Sequence, residues 1–175
     1  MAQNKHITLI GLPGVGKTSI AQVVSSALEI KHFDIDLEIE KDLKMSIGEL
    51  ISKEGESFFR ALEKKTLKAF LEMDEMSIIS PGSGAVLDSD NRNIIKNNSL
   101  GIYLKCDLQE ISERLNIDSR PLLYDTNKKG QLEDILKDRE KLYQEVASIR
   151  LNISGLPLDK SAKEICNIIA NIEAL

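Results

Sequence analysis

The chain reads as an α/β fold, a parallel sheet with helices on both faces. Three observations predict it. Short β-branched apolar runs alternate with amphipathic helical ones along the whole length. The first such run leads straight into Gly11-Leu12-Pro13-Gly14-Val15-Gly16-Lys17-Thr18, which fits the phosphate-cradling pattern G-x-x-x-x-G-K-[ST]. The residues able to do chemistry recur at the carboxyl ends of the expected strands, where open parallel sheets bind ligands.

Taken in order, Ile7–Ile10 is a buried strand and Ile20, Val23, Val24, Ala27 and Leu28 mark a helix after the glycine loop. Lys31–Asp36 reads as a strand ending in acids, with His32 an incidental strand residue. Leu37–Leu43 reads as a helix. Ser46-Ile47-Gly48-Glu49 is a capping box, and Gly55 ends the short helix it opens. From Glu56 a longer helix carries Phe59, Leu62, Phe70 and Met73 on its apolar face. Ser77–Ser80 is a strand followed by the small-residue loop Pro81–Gly84. Asp90 caps a helix through Ile94 and Ile95, and Leu100–Cys106 is the fourth strand. Asp107–Glu110 caps the next helix, with Ile111 and Leu115 inward. Residues 116–130 are polar and break the periodicity, so a loop that closes over the site, a lid, is expected there. A long helix follows, with Leu132, Ile135, Leu136, Leu142, Tyr143 and Val146. Arg150–Ile153 is the fifth strand. The last helix is capped near Asp159 or Ser161 and buries Ile165, Ile168, Ile169 and Ile172.

No linker or repeat divides the 175 residues, so a single domain is expected. A hydrophobic fraction of 42% supports a substantial core, built on Ile and Leu because Trp is absent. A net charge of −5 argues against general nucleic-acid or anionic-membrane binding, so phosphates must be held by local cations and backbone N–H groups. Cys106 and Cys166 lack metal spacing and read as buried thiols in a reducing compartment. Ile7–Leu12 is too short for the apolar core of a leader, and no run approaches membrane-spanning length. A cytoplasmic location is therefore expected.

The glycine loop, with the helix N-terminus behind it, makes an anion cradle. Lys17 can reach the terminal phosphates and the Thr18 hydroxyl can hold Mg2+. The strand Ser77–Ser80 ends in no acid, which leaves Asp34 and Asp36 for that duty. Two residues apart on an extended segment, they would point to one side, one to the metal and one to a substrate hydroxyl. Arg60, near a helix start among apolar residues, suits capture of a carboxylate. Arg150 is a second candidate for that anion. Arg120, in the long loop, could close over a transferring phosphoryl group.

These residues resemble the shikimate kinase family across essentially the whole chain. The matching pieces are Gly11–Thr18, Asp34-Ile35-Asp36, Gly55-Glu56-Ser57-Phe58-Phe59-Arg60 with Glu63, and Gly82-Ser83-Gly84-Ala85-Val86. They continue with Arg120-Pro121-Leu122-Leu123 and with Arg139 through Tyr143 and Ala147 to Arg150. The resemblance implies a P-loop, nucleoside-monophosphate-kinase-like three-layer fold on a five-stranded parallel sheet. It implies ATP-dependent phosphorylation of the 3-hydroxyl of shikimate. Gly14, Val15, Gly16, Lys17, Thr18 and Ser19 would hold the nucleotide phosphates, and Arg114 would flank the adenine. Thr18 and Asp34 would serve Mg2+. Asp36, Arg60, Gly82, Ser83, Gly84 and Arg150 would hold shikimate. Lys17 and Arg120 would stabilise the transferred phosphoryl, and Asp36 is a candidate to take the hydroxyl proton. The partner expected is this small-molecule substrate alone, with the protein a monomer. The loop departs from the family's usual Gly-Gly-Gly at Ser83, and Pro81 precedes it. A kinase for another small hydroxy acid such as gluconate, or an ATP-binding regulatory module without turnover, are the competing readings.

Overall fold

The computed structural model describes residues 6–115 and 128–173, and of Lys128, Ile172 and Glu173 the backbone alone. Five strands form one parallel sheet: β1 (His6–Ile10), β2 (Lys31–Asp34), β3 (Ser77–Ser80), β4 (Ser99–Lys105) and β5 (Ile149–Asn152). Their order is β2-β3-β1-β4-β5. The helices are α1 (Lys17–Leu28), α2 (Ile35–Leu43), α3 (Ile47–Glu54), α4 (Glu56–Leu71), α5 (Ser89–Asn98), α6 (Leu108–Arg114), α7 (Lys128–Val146) and α8 (Leu158–Glu173). A single 3-10 turn, Ala85–Leu87, follows the Gly82–Gly84 loop.

Every residue of β1 is buried, as befits a central parallel strand. The edge strand β5 alternates half-buried and exposed residues. α1 packs on α8 and β3, while α5 packs on β4 and against α4 and α7, so the sheet lies between two helical layers. Buried polar groups within the sheet are satisfied by each other. His6 Nδ1 and Ser77 Oγ lie 2.9 Å apart, joining β1 to β3, while Thr8 Oγ1 donates to Ser99 Oγ at 2.7 Å, joining β1 to β4. The connections leaving β1 and β3 run in opposite directions, toward β2 and β4. The crevice at their carboxyl ends is therefore the topological switch point, where ligands bind in open α/β sheets.

Four boundaries differ from the sequence expectations by two residues or more, and in three of them a local bond explains the difference or accompanies it. β2 stops at Asp34, and α2 begins at Ile35 rather than Leu37. The Asp34 carboxylate accepts from the N–H groups of Asp36 (3.1 Å) and Leu37 (3.3 Å), so Asp36 lies in a helical turn and not on an extended segment. α5 is capped by Asp88, not Asp90. Asp90 instead pairs with Lys64 at 2.7 Å. α7 already begins at Lys128, inside the expected polar loop. α8 begins at Leu158, and the Ser161 hydroxyl sits inside its first turn, donating to Pro157 O at 3.2 Å. On α4 the buried stripe is Phe59, Glu63, Leu67 and Leu71, and Met73 lies beyond the helix end. Both cysteines are only half covered, and burial pushes both thiols above their ordinary range. The lid expected at 116–130 falls largely on residues 116–127, outside the described residues.

Candidate active site

The phosphate side is built by β1, its loop and α1. Gly14 and Gly16 have φ of 79° and 104°, a left-handed backbone that L side chains rarely adopt. Gly16 is the N-cap of α1 and offers no side chain, so it leaves the first-turn N–H groups without a side-chain cap of its own. This contrasts with Asp34, Ser46, Asp88 and Asp107, which cap α2, α3, α5 and α6 with their side chains. Val15 N–H donates inside the loop to Leu12 O at 3.3 Å, and Ser19 is exposed on the first turn of α1. Lys17, only 8% exposed, donates to Gly11 O at 3.0 Å and Leu12 O at 3.1 Å, which places its ammonium on the loop.

The Thr18 hydroxyl donates directly to Asp34 Oδ2, while Asp34 Oδ1 caps α2. A hydroxyl and a carboxylate oxygen meeting beside a phosphate loop are the hard-oxygen set that Mg2+ takes together with phosphate and water. The residues present fit that ion. No group of three or more His, Cys, Asp or Glu side chains able to hold a metal occurs among the described residues.

The acceptor side forms around the loop after β3. A Cβ added at Gly82 would stand 2.5 Å from Glu63 Oε1 and 3.0 Å from Asp36 Oδ1. One at Gly84 would stand 2.6–2.8 Å from the Arg60 guanidinium. Two carboxylates and a cation therefore press against the bare face of this loop. Arg60 pairs with Glu63 Oε2 at 2.9 Å and Glu56 Oε1 at 3.1 Å. Burial works against its charge, but the two carboxylates hold the guanidinium above its ordinary range. From the other side Arg139 Nη1 donates to Ser83 Oγ at 3.4 Å, and Tyr143 Oη donates to Ser83 O at 2.9 Å. Ser83 itself has no left-handed φ, so its side chain imposes no backbone strain.

Glu63 is the group that sequence reasoning left without a role. It is 1% exposed, and burial pushes its carboxyl up to about 7, with Asp36 adding to the rise and Arg60 and Arg139 opposing it. Among the described residues its Oε1 finds no hydrogen-bond partner. The signal available in the sequence was its place in the four-residue stripe of Phe59, Leu67 and Leu71. Because the folded value exceeds the ordinary 4.5, the fold binds more protons than the unfolded chain between 4.5 and about 7. The stability this contributes is complete below 4.5 and is lost as pH rises through about 7. Glu63→Gln removes the titration, so wild type should lose melting temperature relative to the variant between pH ~5 and pH ~8, as calorimetry would register.

Arg60 and Arg139 flank the loop, whereas Arg150 does not join them. It lies exposed on β5, and its charge is felt by Glu140. Arg114, at the end of α6, pairs with Glu110 Oε2 at 2.7 Å. A cavity of about 410 Å³ opens at the carboxyl ends of β4 and β5, lined by Lys105, Cys106, Asp107, Asn152 and Ser154. Arg120 lies outside the described residues. Gly84→Ala should displace the flexible Arg60 head while leaving the fold intact. Misplacing one positioning group by about 1 Å costs roughly ten- to a hundred-fold, so the acceptor KM should rise at least about ten-fold with the ATP KM unchanged.

A phosphate loop at the switch point, with two arginines and two acids gathered on the loop that leaves the neighbouring strand, defines a P-loop phosphotransferase that acts on a small anionic acceptor. Comparison with known proteins narrows the class. The shikimate kinase family model matches residues 13–170. The shikimate kinase of Clostridium botulinum (strain Eklund 17B / Type B) is 33% identical over 94% of this chain and 97% of its own. The structure of shikimate kinase from Acinetobacter baumannii in complex with shikimate superposes with a TM-score of 0.90 at 29% identity, covering 95% of this chain and 93% of that one. A gluconokinase from Sinorhizobium meliloti, at 14% identity and a TM-score of 0.59, shares the fold alone. The chain belongs to the shikimate kinase family.

Proposed function

We propose that this protein transfers the γ-phosphoryl group of ATP to the 3-hydroxyl of shikimate, yielding ADP and shikimate 3-phosphate with release of the hydroxyl proton. Family membership and the convergence of Arg60, Arg139 and Asp36 on the Gly82–Gly84 loop support this reading. Shikimate carries one carboxylate and three hydroxyls. The two guanidiniums suit the carboxylate, in place of the Arg60 and Arg150 pair expected from sequence. Asp36 and the loop N–H groups suit the hydroxyls. Lys17 and the amides at the start of α1 hold the triphosphate. Thr18 and Asp34 would hold Mg2+, which would supply positive charge to offset that of the phosphates. The cavity beside Arg114 suits the base of the nucleotide.

Phosphoryl transfer through a loose transition state relies on positioning and charge more than on a base. Asp36 therefore serves mainly to aim the hydroxyl and then to receive its proton as the P–O bond forms. Among the described residues no helix is long and apolar enough to cross a membrane. Membership of the shikimate kinase family supports a cytoplasmic monomer acting on a free metabolite. An ADP-release assay with shikimate, gluconate and AMP tests the assignment. Turnover with shikimate alone is expected. Turnover only with gluconate or AMP, or tight ATP binding without turnover on any acceptor, would overturn it.

A further inference from the structure

The loop that carries the acceptor site has one side chain, Ser83, and that side chain meets a cation. Ser83 Oγ accepts from Arg139 Nη1 at 3.4 Å. The backbone carbonyl of the same residue accepts from Tyr143 Oη at 2.9 Å, and the Tyr143 phenol is itself hydrogen-bonded to Arg139. Tyr143 is fully buried, so this three-membered knot hangs from a rigid anchor. Arg139 and Tyr143 stand one turn apart on α7, the spacing that lets a helix present both groups to one point. A glycine at position 83 would keep the carbonyl bond to Tyr143 but lose the hydroxyl contact with Arg139.

We infer that Ser83 is a positioning residue for the acid end of the acceptor. Its hydroxyl holds the Arg139 guanidinium against the loop, so that the remaining N–H donors are aimed before the carboxylate arrives. A free arginine side chain loses rotamer entropy when it captures an anion, and ordering it in advance removes that cost from binding. The effect falls on acceptor affinity, because the contacts described for Ser83 lead to α7 and none leads to the phosphate loop. The identity of the acid rests on the shikimate reading above; the Arg139 contact does not.

Ser83→Ala and Ser83→Thr, in steady-state assays and by nitrogen-detected NMR of the arginine side chains in the ligand-free protein, test this. One charge-assisted hydrogen bond of modest geometry corresponds to about a five-fold rise in shikimate KM for Ser83→Ala, with a smaller change in kcat and none in the ATP KM. Ser83→Thr restores the hydroxyl and should restore the KM. The Arg139 guanidinium should be more restricted in wild type and Ser83→Thr than in Ser83→Ala, where its contact with Tyr143 remains but that with the hydroxyl is lost. An unchanged or lowered KM in Ser83→Ala, a Thr variant that fails as Ala does, or an Arg139 signal indifferent to the substitutions would overturn the inference. Wild-type protein that shows the NMR contrast but no turnover on shikimate would support the positioning role and sink the substrate assignment instead.

Discussion

Lys17→Met is expected to lower kcat about a thousand-fold while the acceptor KM stays close to wild type, because a cation aimed at developing phosphoryl charge is worth that much in a water-poor site. The ammonium sits on the loop, donating to Gly11 O and Leu12 O, so little reorganisation separates its present position from the terminal phosphates. Met matches the length of the stem and keeps the packing of this 8%-exposed side chain, which separates loss of charge from loss of fold. Circular dichroism and a thermal melt should report a folded protein. A variant with near-native turnover would remove Lys17 from the chemistry.

The second large effect concerns Arg60. Arg60→Ala should raise the shikimate KM about a hundred-fold, the worth of roughly 3 kcal/mol for a charge-assisted contact to a carboxylate, and leave the ATP KM within about two-fold. Equal effects on both constants would contradict its assignment to the acceptor. The same substitution strips the buried Glu63 of the partner that restrains its carboxyl, so that group moves further above about 7. With the folded value raised further, the variant should be relatively more stable in acid and weaker as pH rises through that value. Melts recorded across neutral pH would register the slope. Arg60→Lys should rescue little, because one ammonium cannot serve Glu56, Glu63 and a planar carboxylate together.

The two halves of the site were not equally legible. The phosphate loop was readable because its chemistry is contiguous: eight residues carry the glycines, the lysine and the hydroxyl, and a strand and a helix must flank them. Arg60 lies in the early turns of α4, near a helix start as expected, but the local geometry around Asp34 differs from the expected one. Asp34 was taken as one of two acids on an extended segment, but its carboxylate both meets Thr18 and starts α2. The acceptor pocket is assembled by elements far apart in the chain, and there local pattern failed. Choosing between Arg139 and Arg150 needed the path of α7, which brings the first to Ser83 and leaves the second on the edge strand. Glu63 looked like one more surface charge in a helix rich in lysine, and only the packing of α4 shows it enclosed. Family likeness supplied Arg139 and Glu63 as matching letters but no place to put them.

The side-chain bonds that join β1 to its two neighbours have a geometric consequence at the opposite pole of the molecule. Parallel strands can slide past one another two residues at a time without turning a side chain inside out, yet here His6 meets Ser77 and Thr8 meets Ser99 in only one alignment. These pins stand near the amino ends of the strands, and the two ligand loops sprout from the carboxyl ends of β1 and β3. The gap between donor and acceptor alcohol is thus gauged by a pair of fasteners that neither reactant ever touches.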